Sequence, residues 1–521
     1  MNHLNGWDTV YAVSINETNE ALSKALTNTT FDLPSSDLKL SGTFGAWSIV
    51  TGGASTLLHL ETQVTKGTFN LPGVADNVDL SGVSFVFEIS LQLLPSKTNP
   101  TQHDLSFNAQ TISSVTSTTT TPLVTPVLTI DPQNKLSESI KRSLVPLMAV
   151  AINNQAASVG YVFANINLVK PGTGSWLTPV QADYAYLELQ STPQQGYLCI
   201  LAVTDNRDIS AYKRIVDPSI ISGQNNAGFF ISQELFLKNV IMPQLPADFK
   251  ASSAKFQLVG DTIQLDNCEF SLPDVTIPVL LIPTTYHPKC LAVSITTKAN
   301  TRTDHLSVYC FMYGEIFNDG GIKAMIEIDL EYKTVFDPNA QTISFSINST
   351  PKTSNTVEYP GDATGKAIMQ GTVDTVVKSI LSWIKLSLAV DICKFNIVNM
   401  HPIDVHWSGI GNITITDAGL NDYFFMSGQI KTLMDQNDVK LKNSLSQIMS
   451  EISNIRPTLG HYGTGIECKT DHDSIILIQL LTRADSIIKQ IDDLEKSANL
   501  PSSTIDDKKT LAKIHSTLPF S

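Results

Sequence analysis

Charged side chains are scarce in this sequence of 521 residues. Asp, Glu, Lys and Arg make up 16% of it, against roughly 25% in an average soluble domain. The formal net charge is −14, and basic residues cluster no more tightly than in isolated dipeptides such as Lys141-Arg142 and Lys213-Arg214. Because binding to nucleic-acid phosphates requires clustered basic residues, we expect no nucleic-acid partner. A site for anionic lipid headgroups would have to be small and local.

Long apolar runs are also absent. No stretch of about 18 apolar residues without charges occurs, which argues against a transmembrane helix. Residues 1–8 have neither the basic stretch nor the apolar core of a signal peptide. We therefore expect a protein that is not transmembrane and is made without a signal peptide.

The six cysteines are spread along the chain with no C-x-x-C pair, so they form neither a disulfide framework nor a zinc module. His401 and His406 flank a proline, which excludes helical metal spacing. A second group combines several ligand types but matches no metal-site template; it contains His461, Cys468, Asp471, His472 and Asp473. We predict no metal site and no cofactor.

Catalytic motifs are missing as well. There is no G-x-S-x-G elbow and no H-E-x-x-H, and the segment Gly361–Ala367 has the wrong spacing for a P-loop and no Ser or Thr after Lys366. We predict no catalytic residues and no enzymatic activity. A hydrolase whose carboxylates meet only in the fold is the enzyme alternative.

Local patterns predict both helices and strands. Ser14-Ile15-Asn16-Glu17 is a capping box that predicts a helix ending near Leu26. Residues 83–93 alternate apolar residues with smaller or polar ones, which predicts a strand with one buried face. The Ser/Thr tract 113–121 is a strand edge or a loop. The sequence therefore predicts an α+β fold with antiparallel sheets.

The second half of the chain repeats the order of the first. Each half contains a short helix, a strand-rich segment and one long apolar helix, at about 137–154 (bent by a proline) and about 364–388. Each long helix is followed by an extended segment with an aromatic residue at both ends, Phe163–Trp176 and Phe395–Trp407. We interpret this order as a distant internal duplication.

The composition changes near residue 428, where charged residues become more frequent. Beyond it, amphipathic periodicity predicts helices around 441–455 and 477–494, and a third within 504–517. We therefore predict three domains: a first module at 1–215, a second module at 216–427, and an α-helical appendage at 428–521.

Apolar residues on the predicted strands and long helices could line an elongated cavity for a lipid chain. Burying one CH₂ group is worth roughly 0.8 kcal/mol, so a groove of about ten methylenes could hold an acyl chain without a catalytic residue. The alternative is that side chains fill this interior. The candidate groove residues are Phe85, Phe87, Leu144, Leu147, Val376, Ile380 and Ile384.

Several motifs resemble those of one bacterial family. The opening Asn5-Gly6-Trp7-Asp8, which runs into a helix with Asn16 and Asn19, is similar to that of the TULIP (tubular lipid-binding) proteins of clostridial botulinum-type toxin gene clusters. These include the OrfX proteins and the forty-seven-kilodalton protein. Further similar segments are Phe44–Gly53 with Trp47, Gly52 and Gly53; Phe229–Pro246; and Ser175-Trp176-Leu177 with Tyr184-Ala185-Tyr186. The residues beyond about 428 show no such resemblance.

The resemblance implies two TULIP-like modules, each a long helix wrapped by a strongly curved antiparallel sheet. It further implies a non-enzymatic protein of a bacterial toxin locus, made in the cytoplasm and released with the toxin. Such a protein would bind lipid or phosphoinositide and act with sibling proteins to help an orally acting, for example insecticidal, toxin. The motif residues, Trp7, Trp47 and Trp176 among them, are expected to be structural.

Three hypotheses about function follow from these observations. The first is a lipid- or membrane-surface-binding accessory protein of a toxin system. The second is a protein-interaction scaffold with filled tubes that docks partners through its C-terminal helices. The third is a membrane-active toxin in its own right. The sequence does not identify the ligand, the partners or the oligomeric state.

Overall fold

The computed structural model describes most of the chain up to residue 430 and short stretches beyond it. The described residues are 4–34, 38–72, 75–97, 99, 101–107, 124–154, 161–170, 172–173, 175–188, 196–216, 225–266, 268–279, 282–298, 307–319, 322–347, 352–390, 395–396, 404–411, 413–420, 423–430, 445, 448, 460–462, 465–467, 480–490, 492, 508–509 and 512. The tract 113–121 lies outside them.

A central six-stranded sheet joins the two halves of the chain, and its strand order is β10-β11-β1-β12-β26-β25. Three of its strands come from residues before 215 and three from residues after 225. They are β1 (Thr9–Ser14), β10 (Gln181–Glu188), β11 (Gly196–Val203), β12 (Ala227–Ser232), β25 (Ile413–Leu420) and β26 (Tyr423–Ile430).

The antiparallel pairing of β1 with β12 relates the two halves by a local two-fold arrangement. The amide N of Ser14 donates to the carbonyl O of Asn226 at 2.7 Å, and the amide N of Ser232 donates to that of Asp8 at 2.7 Å. Both Ser14 and Ser232 are the N-caps of helices, accepting side-chain hydrogen bonds from Glu17 N and Leu235 N. These helices are α1 (Ile15–Ala25) and α3 (Gln233–Phe236), and a π-helical turn (Leu237–Ile241) extends α3.

The predicted helix after Ser14 is confirmed, but Glu17 also bonds across the two halves. The Ser14 Oγ accepts from Glu17 N at 3.3 Å, as the capping motif requires. The carboxylate of Glu17, however, accepts from the side-chain amide of Asn226 at 2.7 Å. The sequence motif therefore holds the helix start and also contributes to the contact between the two halves.

A nine-stranded sheet follows α1 and contains strands of the first half together with one from the second half. Its order is β2-β3-β4-β6-β7-β9-β24, with β5 on β4 and β8 on β6. Its strands are β2 (Thr30–Pro34), β3 (Lys39–Ala54), β4 (Leu57–Leu71), β5 (Ala75–Asp79), β6 (Ser84–Pro95), β7 (Gln102–Phe107), β8 (Val124–Ile130), β9 (Val162–Asn167) and β24 (Val405–Trp407).

Irregular pairing interrupts the long β3–β4 ladder of this sheet. The register shifts between Thr43 and Phe44, between Phe44 and Trp47, and between Val50 and Ala54. Bulges of this kind bend a strand and increase its twist. The helix α2 (Glu138–Asn154) packs against β8 and β2, so this bent sheet is covered by a helix.

A second nine-stranded sheet contains the strands that precede the second long helix, in the order β13-β14-β18-β19-β20-β21-β23, with β15 on β18 and β22 on β20. The long helix α5 (Ala363–Val390) packs against its strands β21 and β22. The strands are β13 (Phe256–Val259), β14 (Thr262–Leu265), β15 (Phe270–Ser271), β18 (Lys289–Lys298), β19 (Ser307–Asp319), β20 (Ile322–Asp337), β21 (Thr342–Ile347), β22 (Lys352–Glu358) and β23 (Phe395–Asn396). A short helix, α4 (Leu245–Asp248), precedes β13.

Two small antiparallel ribbons complete the described elements: β16 (Val275–Val279) with β17 (Ile282–Tyr286), and β27 (Gly460–Tyr462) with β28 (Gly465–Glu467). All the strand pairs found are antiparallel. The predicted α+β class with antiparallel sheets is confirmed at this level. The predicted long helices are present as Glu138–Asn154, which contains Pro146, and Ala363–Val390.

The chain divides into two compact units. The first comprises Met1–Ser408 and Ile413–Gln429, and the second comprises Gly409–Asn412 and Ile430–Ser521. In the second unit, residues 480–490 are helical and bury Leu481, Ala484 and Ile488. The β27–β28 ribbon of this unit was not predicted, because three-residue strands are too short for a periodic pattern.

The centre of the six-stranded sheet is packed with aromatic side chains. Phe230 of β12 is fully buried and lies in one cluster with Trp7, Leu201, Tyr423 and other apolar residues. The Phe230 and Tyr423 ring centroids are 5.8 Å apart, at nearly right angles. This cluster combines residues from both halves of the chain, so their stabilities are coupled.

Replacing Phe230 by alanine should therefore lower the free energy of unfolding by about 3–5 kcal/mol, the usual cost of a buried Phe→Ala cavity. The measurement is urea denaturation at neutral pH, followed by far-UV circular dichroism. Leu128→Ala on β8 is the control, since Leu128 is 51% exposed and should change stability by less than about 0.5 kcal/mol. Equal effects of the two substitutions would contradict the coupling of the halves through this cluster.

Candidate functional site

The opening motif of the chain forms a tight turn into β1. Asn5 and Gly6 both have left-handed backbone conformations, with φ of 52° and 95°. A Cβ atom added to Gly6 would lie 3.1 Å from the ring of Tyr212. Glycine is needed here both for the conformation and for this close approach.

The same motif fixes a segment some 200 residues away in the sequence. Trp7 is 1% exposed; its indole N–H donates to the carbonyl O of Lys213 at 2.9 Å, and its ring meets Tyr212 edge-on at 5.4 Å. The Asn5 side-chain amide donates to the carbonyl O of Ile215 at 2.9 Å. Asn5 and Trp7 therefore have packing and hydrogen-bonding roles that tie the start of the chain to residues 212–215.

Trp47 on β3, like Trp7, is a buried packing residue. It is 1% exposed, its indole N–H donates to Thr29 Oγ1 at 3.1 Å, and its ring lies against those of Phe44 and Phe87. Gly52 and Gly53 lie at the end of the same strand, where Gly52 has φ of 110° and donates its amide to Glu188 Oε2 at 3.0 Å. A Cβ atom on Gly53 would clash with the carbonyl O of Leu57.

The candidate groove residues of the first half are packed among other side chains. Phe85 and Phe87 are both fully buried on β6, with ring centroids 6.2 Å apart, and Phe87 contacts Trp47. On α2, Leu144 is fully buried and Leu147 is half-buried. None of the four lines either of the two cavities described below.

The candidate groove residues of the second half all belong to α5. Val376 and Ile380 are 0% and 1% exposed. This helix packs against β16, β21 and β22. The side chain of Ile384 lies outside the part of the chain that the structure describes. The structure therefore places the predicted residues in two separate packed regions, one in each half of the chain.

Two of the motif residues, Asp8 and Trp176, line one cavity of about 400 Å³. The cavity lies where β1 and its two neighbouring strands reach the same end of the central sheet, next to α3. Its wall is largely polar or charged, and its lining residues are Asp8, Val169, Gly172, Ser175, Trp176, Thr178, Val180, Thr204, Asp205, Arg207, Glu234, Leu235, Lys238 and Asn239.

A charged network crosses this cavity wall. The carboxylate of Asp8, whose side chain is 7% exposed, accepts hydrogen bonds from Thr204 N at 2.8 Å, from Thr204 Oγ1 at 2.9 Å and from Arg207 Nη2 at 2.7 Å. The Nε of Arg207 donates to Asp205 Oδ1 at 2.5 Å. One guanidinium therefore joins two carboxylates, those of Asp8 and Asp205.

The protonation of Arg207 and Asp205 follows from these contacts. Partial burial disfavours the charged form of Arg207, but the hydrogen bond to Asp205 and the negative charge of Asp8 outweigh it, so the pKa of Arg207 is raised. Burial acts to raise the pKa of Asp205, yet its hydrogen bonds from Arg207 and the charges of Arg207 and Lys238 lower that pKa overall. Arg207 and Asp205 are thus both charged at neutral pH.

Trp176 is presented to the cavity by a tight turn before β10. The amide N of Ser175 donates to Thr178 Oγ1 at 3.1 Å, the two hydroxyls are 3.0 Å apart, and Leu177 N donates to Ser175 Oγ at 3.3 Å. Asn239, another lining residue, donates its side-chain amide to the Leu235 carbonyl O at 2.9 Å. An indole face, a hydroxyl-rich turn and paired charges suit a small polar or charged group.

A second cavity of about 480 Å³ lies beside α1. Asn19 of α1 joins the helix to β3, because its side-chain amide donates to the Ile49 carbonyl O at 2.9 Å and its Oδ1 accepts from Ile49 N at 2.6 Å. The cavity is lined by Ile15, Asn16, Asn19, Ser48, Ile49, Val50, Thr51, Glu61, Tyr186 and Gly196. Most of these residues belong to segments that the sequence analysis named; only Glu61 and Gly196 carried no local signal.

Among the described residues, no His or Cys lines either cavity, and no group of three or more His, Cys, Asp and Glu side chains is placed to bind a metal ion. Cys199 and Cys290 are free and buried, and Cys268 is free and half-buried. His401, Cys468, Asp471, His472 and Asp473 lie outside the described residues. No helix among those described is long and apolar enough to cross a bilayer.

Comparison with known proteins identifies the family. The model of the OrfX-like family, described as "Protein OrfX2/OrfX3/P47", matches residues 4–401. The chain belongs to the OrfX-like family. The match includes every motif on which the sequence resemblance was based, from Asn5 to the Phe229–Pro246 segment.

OrfX-like proteins of Clostridium botulinum are among its curated relatives. The chain is 25% identical to "Protein P47" of the strain Kyoto / Type A2 over 434 residues, which cover 81% of this chain and 98% of P47. It is 24% identical to "Protein OrfX3" of the same strain over 286 residues, covering 50% of this chain and 58% of OrfX3.

Solved structures of P47 share the fold of this OrfX-like chain. P47 from Clostridium botulinum A2 aligns with a TM-score of 0.64 at 23% identity, covering 82% of this chain and 98% of that one. P47 of Clostridium botulinum E1 aligns with a TM-score of 0.62 at 23% identity, covering 82% and 100%. Nearly all of P47 therefore has a counterpart here, while about a fifth of this chain has none in P47.

The Asp8–Arg207 pair of this OrfX-like protein makes a stability prediction. Arg207→Ala leaves a nearly buried carboxylate with only its Thr204 donors, and should lower the free energy of unfolding by about 2–3 kcal/mol. Arg214→Ala is the matched control, since Arg214 also donates to an aspartate, Asp183, at 2.5 Å but is 45% exposed; it should cost less than about 1 kcal/mol. Urea denaturation compares the two, and a control at least as destabilising would refute the special role of the Asp8 network.

Proposed function

We propose that this chain is a non-enzymatic accessory protein of a bacterial toxin system, insecticidal systems included, and that it acts by binding lipid at membrane surfaces. Its membership of the OrfX-like family over residues 4–401 carries the first part of the proposal. The relatives named P47 and OrfX3 both come from Clostridium botulinum, the organism of a botulinum toxin. Sibling proteins of a toxin gene cluster are the partners we propose.

The lipid-binding part of the proposal is supported by the pairing of curved sheets with long helices. We propose that residues 1–215 and 216–427 are two TULIP-like modules that share the central sheet, with the helical appendage at 428–521 added to them. In the second module, Val373, Val376 and Ile380 form a buried stripe on α5. A helix lying on a curved sheet is an arrangement that can open to admit an acyl chain.

The absence of enzymatic activity is part of the proposal. It is supported by the pairing and the pKa directions of Asp205 and Arg207. In the Asp8 cavity, the one guanidinium is shared between two carboxylates, so it is already engaged. A catalytic acid or base usually has a pKa moved toward neutrality, whereas the pKa values of Asp205 and Arg207 move away from it.

The alternative is a protein-interaction scaffold whose tubes are filled with side chains. A specific observation favours it: Phe85 and Phe87 lie fully buried in an aromatic cluster with Trp47, in the region where an acyl chain of the first module would lie. In that case the C-terminal residues would dock the partner.

Lipid binding predicts that the purified protein floats with vesicles in a density gradient. Vesicles of phosphatidylcholine alone and vesicles that also contain a phosphoinositide should be compared, at low and high ionic strength. Binding through apolar contacts persists at high salt, whereas binding through charges is screened. Native mass spectrometry of the same protein should show co-purified lipid if the tubes are open; no flotation and no lipid together would refute lipid binding.

The scaffold alternative predicts that the C-terminal unit is needed for binding siblings. The truncation should follow Ile430 rather than residue 427, because Gly428 of β26 is paired with Ala227 of the central sheet. Co-expression with P47-type and OrfX3-type proteins and size-exclusion chromatography would detect the complex. A chain of residues 1–430 that retains the full-length circular dichroism but loses the complex supports the scaffold; an unchanged complex contradicts it.

A further inference from the structure

The hairpin formed by β16 and β17 differs from the other strands of the first compact unit. Among the described residues its two strands pair with each other and form a separate two-stranded sheet. No Asp, Glu, Lys or Arg occurs anywhere from residue 275 to residue 286. An isolated two-stranded hairpin is only marginally stable in water. This one is supported by α5, which packs against β16.

One face of the hairpin is apolar and becomes exposed toward its tip. Directly opposed residues of a hairpin share a face, and the pairs Val275–Tyr286, Ile277–Thr284 and Val279–Ile282 share this one. Val275 and Ile277 are each 8% exposed, whereas Ile282 is 67% exposed, the largest value among the exposed large apolar side chains of the described residues. The apolar face therefore extends beyond the cover that protects its base.

The other face is uncharged as well. Thr276 and Thr285 lie opposite each other with their hydroxyl oxygens 2.8 Å apart, so one hydroxyl donates to the other. Next to them, Pro278 is paired with Pro283. The two threonines partly satisfy each other's polar groups, and the two prolines present ring carbons.

The paired prolines also decide what the edges of the tip can bind. Proline has no N–H, so the Pro278–Pro283 pair must be a non-hydrogen-bonded pair, at which the N–H positions of an antiparallel ladder point outward. Neither edge of the tip therefore offers an N–H at this position to an added strand. The same absence lowers the cost of entering hydrocarbon, where an unpaired N–H costs several kcal/mol.

Charged residues collect at the base of the hairpin. The His287 ring lies 2.7 Å from Asp274 Oδ1, and Lys289 Nζ lies 2.6 Å from Glu269 Oε1. These groups are about half exposed or more and form a polar collar next to an uncharged tip. This order, from polar base to apolar tip, matches the change from headgroups to acyl chains in a bilayer.

We infer that the tip of this hairpin, with Pro278, Val279, Ile282 and Pro283, inserts into the interfacial layer of a lipid bilayer. The inference rests on the proposed membrane-surface function and names the element that makes the contact. Insertion is driven by burial of Ile282, Val279 and the prolines, not by attraction to anionic lipid. The protein therefore binds vesicles of pure phosphatidylcholine as well as it binds vesicles that contain anionic lipid, and this binding persists at high salt.

The test uses the full-length chain and phosphatidylcholine vesicles in a flotation assay. Ile282→Asp should lower the fraction that floats at least about tenfold, because a charge replaces a side chain whose burial drives insertion. Ile282→Leu should bind as the wild type does. Val259→Asp is the matched control: Val259 ends β13 beside its own hairpin turn, is 50% exposed, and should leave flotation unchanged.

Each outcome is decisive. If wild type and Ile282→Asp float equally, the hairpin is not the contact, while the proposed membrane function stands. If wild type floats on no vesicle, the inference fails, and if native mass spectrometry also finds no co-purified lipid, the proposed lipid binding fails with it. If Val259→Asp loses binding as strongly as Ile282→Asp, added charge alone explains the loss and the inference fails. Size-exclusion chromatography without lipid tests one further outcome. If the wild type self-associates there and Ile282→Asp is monomeric, the tip is a protein contact and the inference is overturned.

Discussion

The antiparallel pairing of β1 with β12 is the contact on which the rest of the first compact unit depends. It places the N-caps of α1 and α3 at opposite ends of the central sheet, and each cap donates its backbone N–H to the carbonyl of the residue before the other strand. It also brings Trp7, Phe230 and Tyr423, residues from both halves, into one buried cluster. Neither half can bury its side of this cluster without the other, because an exposed sheet edge and its apolar face would remain.

The backbones of β1 and β12 are related by a local two-fold symmetry, but the side chains at the two ends of this strand pair differ. Asp8 and Asn226 occupy equivalent positions, each directly before a central strand. The amide of Asn226 donates to Glu17, whereas the carboxylate of Asp8 accepts from Thr204 and Arg207. The two ends of this arrangement therefore differ in their chemistry. The charged cavity beside Trp176 exists at the Asp8 end because an acid there recruits a partner cation.

Local patterns predicted the local elements well, and for a physical reason. The periodicity of 364–388 reflects one buried face, which includes Val376 and Ile380. The alternation at residues 83–93 predicted the strand, but its start is buried on both faces, because Ser84 and Val86 are buried as well as Phe85 and Phe87. The Ser14 cap is a hydrogen bond between residues only three positions apart, Ser14 and Glu17, so a short sequence motif predicts it. In contrast, Asp8 and Arg207 are 199 residues apart, and β24 joins β9 across more than 200 residues. Such pairings leave no periodic trace in a single sequence, so the cavity and the shared sheet could not be predicted.

The low charge content of the chain has a consequence for how it can meet a membrane. A net charge of −14 opposes approach to an anionic leaflet, and Arg207 at the Asp8 cavity is already paired. Lys289, at the base of the β16–β17 hairpin, is paired too. An uncharged tip avoids this opposition, because apolar burial does not depend on the sign of the surface potential. For a protein this acidic, insertion of a neutral hairpin is therefore a more effective means of membrane contact than a basic patch, and it requires no change in the charge of the remaining surface.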